Sequence, residues 1–164
     1  MKKLVIALVS VLVAGFIPTL ALADGDAAAG QAKSALCGSC HGADGNSPLA
    51  MNPKLAGQNA SYLVKQLQDF KAGNRPGQTM AAMVLALSDQ DMEDIAAFYA
   101  SQDATLGGAD PATAELAESL YRAGNADLSI VACSACHSPT GQGNAPAGFP
   151  ALSGQHAEYT LMQP

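Results

Sequence analysis

All four cysteines of the chain stand in two runs, Cys37-Gly-Ser-Cys40-His41 and Cys133-Ser-Ala-Cys136-His137. A thiol pair two residues apart, closed at once by a histidine, has the spacing of a c-type haem attachment site. Each sulfur adds to one haem vinyl group, and the adjacent histidine is then placed to offer a ring nitrogen to the iron. The spacing assigns Cys37, Cys40 and His41 to one covalently attached haem, and Cys133, Cys136 and His137 to a second. Two other chemistries compete for these residues. A redox dithiol of the thioredoxin kind wants a preceding strand and a βαβ context, and neither is legible. One zinc ion could take both thiol pairs, but two histidines would then be surplus ligands. A disulfide framework fits poorly, because a bridge across so short a loop removes little chain entropy.

The two runs are the centres of an internal repeat. Downstream of each, "PKLAGQNASY" (53–62) faces "PALSGQHAEY" (150–159), with one residue inserted between the cysteines and the second copy. Between the copies, "TLGGADPAT" (105–113) carries the Gly-Gly and Asp-Pro of a linker. The expected organisation is a first module over 24–106 and a second over 107–164, with a linker at 107–111.

The elements that must position these residues are helices. One is expected from near Asp26 toward Cys37, with Asp26 as N-cap. A second starts at Asn59 or Ser61 and ends at Gly73, carrying Leu63, Leu67 and Phe70 on one stripe. A third starts at Ser88, where "SDQD" offers a capping box, and its apolar stripe is Met92, Ile95, Ala96 and Tyr99. The stretch between the second and third, "GNRPGQTMAAMVLALSD", reads as a loop. No alternating β-branched run appears, so the expected class is all-α. The second copy ends in "YTLMQP", where the first continues through a loop and a last helix. The second module is therefore expected to be incomplete at its C-terminus, with its haem open on one side and five-coordinate or water-ligated.

The N-terminus has the form of an export signal. "MKK" is followed by an apolar run from Leu4 to Ile17, then Pro18 and the small-residue site Ala21 to Ala23. The run is shorter than the ~20 residues of a spanning helix, which favours cleavage of residues 1–23. Eight basic residues stand against 14 acidic ones, and removal of Lys2 and Lys3 leaves 6 against 14, net −8. That balance argues against nucleic acid or an anionic membrane surface as partner, since both need a basic face. Modules of ~80 residues struggle to build a sufficient core without a staple or cofactor. The chain has 4 Phe, 4 Tyr and no Trp, so a covalent macrocycle would supply much of each centre.

Methionine is the usual second ligand where a histidine-ligated haem carries electrons, and it raises the reduction potential. In the first module Met51 follows in the loop on the histidine side, and Met92 falls on the apolar stripe of the last helix. Met80 and Met83 lie in the stretch that can cross to the opposite face. The tandem CxxCH modules, with "KLAGQ", "LSGQHAEY", "GNRPGQTM" and "LSDQDMEDIAAFYASQ", resemble the cytochrome c4 family of periplasmic dihaem carriers, from Asp24 onward. The resemblance implies two tandem class I cytochrome c domains. It also implies a distal methionine eight residues before the serine of "LSDQD", which is Met80 here, leaving Met83 to pack on the haem edge. In class I cytochromes a proline carbonyl accepts from the ligand histidine, and Pro53 and Pro150 match that position. Met162 aligns within the middle helix of the other copy, which argues against a ligand role, and His156 matches a structural residue of the family.

The function implied is a periplasmic electron carrier, free or membrane-associated, between a quinol-oxidising complex and a terminal oxidase, with no small-molecule substrate. The competing expectation is a haem enzyme or ligand sensor using an open site at the second haem.

Overall fold

The computed structural model describes residues 25–163; the expected export signal, residues 1–23, lies outside them. Helix α1 (Ala27–Lys33) starts at Asp26, whose carboxylate accepts the N–H groups of Ala28 and Ala29 at 2.8 and 3.2 Å. The single helix expected toward Cys37 is divided. Ser34 ends α1 and opens α2 (Ala35–His41), and its hydroxyl donates back to the Gln31 carbonyl at 3.0 Å. Such back-bonding competes with the helix ladder and bends it.

Helix α3 (Ala60–Ala72) follows Asn59 and stops at Gly73, which takes a left-handed φ of +77°. The stretch read as a loop then holds a further helix, α4 (Gln78–Val84), with Val84 buried. It is two turns long and follows directly on Gly73, Asn74, Pro76 and Gly77, so the turn signals outweigh its periodicity. Packing against α3 stabilises it. Helix α5 (Asp89–Ala100) has the expected capping box between Ser88 and Asp91. It buries Met92, Ile95, Ala96, Phe98 and Tyr99.

The core forms where α5 crosses α1 and α3, and joins Leu63, Ile95, Ala96, Phe98 and Tyr99, with Cys37 and Leu55 at its margin. Helices α1 and α5 approach backbone to backbone at Gly30: a Cβ there would lie 1.9 Å from the Asp94 carbonyl oxygen. Asp94 ties the same crossing together. Its carboxylate accepts from Asp26 N–H and Gln90 Nε2, each at 2.9 Å, and from Lys33 Nζ at 2.6 Å.

The second half repeats the plan with α6 (Ala114–Ala123), α7 (Ser134–His137), a 3-10 turn (Ala145–Ala147) and α8 (Ala157–Leu161). A longer connection between α6 and Cys133 is closed by paired bonds between Asn125 and Ile130 at 2.8 and 2.9 Å. Only isolated bridges of this kind occur among the described residues, so the class is all-α as expected. No helix among them is long and apolar enough to cross a membrane.

Candidate haem sites

Each CxxCH run ends on a histidine whose ring is fixed from outside its helix. His41 Nδ1 lies 2.8 Å from the Pro53 carbonyl, and His137 Nδ1 lies 2.8 Å from the Pro150 carbonyl. A carbonyl only accepts, so Nδ1 carries a proton in both rings, which in a neutral imidazole leaves the lone pair on Nε2. That is the tautomer a metal needs, with the second ring nitrogen held by an outer partner. Burial lowers the pKa of His41, against a smaller opposing effect of the Pro53 carbonyl, which favours the neutral ligand form. The loops that deliver the prolines are built alike. Gly45 accepts from Leu55 and Ala56 N–H at 2.8 and 3.2 Å, and Gly141 accepts from Leu152 and Ser153 N–H at 2.7 and 2.9 Å.

The four cysteines form no disulfide; Cys37 and Cys136 are half-buried and Cys40 and Cys133 exposed. Burial pushes the Cys37 thiol up. A catalytic dithiol needs the opposite shift, since the thiolate is its nucleophile. Tyr99 is buried beside Cys37, and its hydroxyl has no hydrogen-bond partner among the described residues. Burial pushes the phenol up to about 12. In the second module a groove of about 970 Å³ opens between α6 and α8, lined by Ala117, Tyr121, Leu152, Ala157 and Leu161 among others. The Nδ1-bound histidine beside a paired set of thiols fits a covalent haem in each module, and in the first the unpartnered Tyr99 hydroxyl lies beside Cys37 of the same pair.

The methionines separate by position. Met80 is half-buried in α4, and Met83, one turn on, is 45% exposed. Met92 is fully buried in the core on α5, as its stripe implied, whereas Met51 is 75% and Met162 62% exposed. His156 donates from Nε2 to the Ser47 carbonyl at 2.9 Å, so it spans the two modules.

The sequence reading missed what else spans them. Gln58 bonds both backbone groups of Ala151, and Gln155 bonds both backbone groups of Lys54. The only available signal was the Gly-Gln pair common to both copies, 57–58 and 154–155. Arg75 adds bonds from Nη2 to the Tyr159 hydroxyl at 2.8 Å and to Gln163 at 2.6 Å.

The cytochrome c family model matches this chain twice, over residues 27–103 and 115–163. Cytochrome c4 of Stutzerimonas stutzeri is 53% identical over 165 residues, spanning 95% of this chain and 79% of that protein. Cytochrome c4 of Azotobacter vinelandii is 51% identical over 166 residues, with 96% and 79% covered. The crystal structure of reduced recombinant cytochrome c4 from Pseudomonas stutzeri matches with a TM-score of 0.78 at 55% identity, over 83% of this chain and 76% of that one.

Proposed function

Because the chain belongs to the cytochrome c4 family, dihaem proteins with two tandem class I cytochrome c domains, we propose that it is a periplasmic electron carrier with two covalent haem c groups, held by the residues named here. When bound, each haem supplies an iron that takes up and releases one electron. Cys37 and Cys40 hold the first group by thioethers, as do Cys133 and Cys136 the second. His41 and His137 would offer Nε2 to the irons, with the Pro53 and Pro150 carbonyls holding both rings through Nδ1. The matching 2.8 Å bonds to those carbonyls are the observation that carries this reading. Met80, half-buried in α4, would be the second ligand of the first iron, and Met83 a packing residue. At the first haem a histidine–methionine pair would leave no position for substrate, which suits a carrier rather than an enzyme.

The gap between the two family matches supports domains over 24–106 and 107–164 with a linker at 107–111. Export is assigned to the signal at 1–23, cleaved before Asp24. Electrons pass toward membrane redox complexes. We place the chain between a quinol-oxidising complex and a terminal oxidase, in brief encounters that its acidic surface makes salt-sensitive.

Intact mass and the visible spectrum of the exported protein test the haem count, the thioethers and the cleavage site together. Colourless protein with four titratable thiols refutes the assignment. For the distal ligand, Met80→Ala should open one iron to carbon monoxide and lower its potential by at least 59 mV, a tenfold change for a one-electron couple. Met83→Ala should do neither.

A further inference from the structure

The peptide group that holds each ligand histidine is itself held by the other module. The Pro53 carbonyl accepts from His41 Nδ1 at 2.8 Å, and the N–H of the same peptide group belongs to Lys54. That N–H donates to Gln155 Oε1 at 2.9 Å, while Gln155 Nε2 donates to the Lys54 carbonyl at 2.9 Å. The arrangement recurs in reverse. His137 donates to the Pro150 carbonyl at 2.8 Å, Ala151 N–H donates to Gln58 Oε1 at 2.7 Å, and Gln58 Nε2 donates to the Ala151 carbonyl at 3.0 Å. Both glutamine oxygens also accept their own following N–H, from Asn59 at 2.9 Å and His156 at 3.0 Å. With N–H groups on one side and a carbonyl on the other, each amide has one satisfiable orientation. The space between the two clamps is about 10 Å³, room for roughly one water molecule.

We propose that Gln155 and Gln58 are positioning residues that act across the interface, so that each haem's potential is set partly by the module that does not hold it. The inference rests on His41 and His137 being the iron ligands. A peptide group whose N–H is engaged carries more negative charge on its oxygen, because hydrogen bonds in a chain polarise one another. A stronger acceptor draws the Nδ1 proton and makes the imidazole a more basic ligand. A more basic ligand favours ferric iron, so the clamp lowers the potential of the opposite haem.

The test is potentiometric titration of the haem-loaded chain, following each haem separately. Gln155→Leu is expected to raise the potential of the first haem about tenfold in redox equilibrium, 59 mV for one electron, with the second haem unmoved. Gln155→Glu keeps the acceptor and adds negative charge, so it should lower the same potential; it also serves if the leucine variant does not fold. Arg75→Leu loosens the same interface without touching either peptide group, and should shift neither haem. An unmoved first haem in both Gln155 variants overturns the proposal, as does an equal shift in Arg75→Leu or a shift confined to the second haem. His41→Ala reads the underlying assignment separately: an unchanged spectrum would mean that the ligand assignment, not the clamp, had failed.

Discussion

An imidazole can offer a metal only the nitrogen that is not donating, and both CxxCH histidines spend Nδ1 on a proline carbonyl. The proline matters here for where it puts its carbonyl, because it holds the loop in a fixed direction. Among the described residues the polar accounting leaves one gap, the Tyr99 hydroxyl beside Cys37, which is buried and unpartnered. The Ser34 hydroxyl next to it donates to Gln31 instead. A buried group without a partner costs about 1–3 kcal/mol. Tyr99→Phe should therefore leave the first module of haem-free chain as resistant to limited proteolysis as before, or more so. In haem-loaded chain the same substitution reports whether the haem satisfies that hydroxyl. A loss of about 1 kcal/mol or more assigns it to the haem, and no loss leaves it orphaned.

Between elements, the crossing of α1 on α5 is the decisive contact, because it sets where α2 can begin. Gly30 permits the approach, and a methyl group there would collide with backbone rather than with a side chain that can swing away. Gly30→Ala should destabilise the chain by about 1–3 kcal/mol through overpacking, read as a lower urea midpoint at unchanged slope. The same crossing is pH-sensitive through Lys33, which reaches both Asp91 and Asp94. Lys33 holds both carboxyls below the usual carboxylate range, and their bonds raise Lys33 in turn. A depressed carboxyl stabilises the fold above its unfolded pKa, and that contribution is lost as pH falls through the folded value. A raised lysine contributes fully below its unfolded pKa and is lost only as pH rises through the folded value. The urea midpoint should thus fall as pH drops below about 4, and Lys33→Met should flatten that fall while starting lower at neutral pH. The caps at Asp26 and Ser88 and the stripe of α5 were legible because each rests on neighbours a few residues away. The break at Ser34 and the short α4 were not. One depends on which carbonyl a hydroxyl chooses, the other on packing that overrides a run of turn residues.

For the molecule as a whole, burial is unequally shared. The buried apolar residues, Ala56, Leu63, Val84, Met92, Ile95, Ala96, Phe98 and Tyr99, all belong to the first module, and the described part of the second contributes none. What joins the second module to the first is mostly polar: the two glutamine clamps, His156 on Ser47, and Arg75 on Tyr159 and Gln163. None of that was readable in advance, since the partners lie about 100 residues apart in the chain and only the shared Gly-Gln marked them. Hydrogen bonds of this kind contribute about 0.5–1.5 kcal/mol each net, too little to order a module without an apolar centre. The groove between α6 and α8 corresponds to the face between α1 and α3 that α5 fills in the first module. No CxxCH residue lines it, so the apolar centre has to come from the haem itself. The second module should therefore depend on its haem more than the first. In a chain with all four cysteines replaced by alanine, limited proteolysis should cut within 114–163 first, and thermal melting should show no single cooperative transition. Haem-loaded chain should resist at those sites by an order of magnitude or more, because cleavage follows the population of the open form. Equal cleavage rates with and without haem would place the stability of the second module in the interface instead.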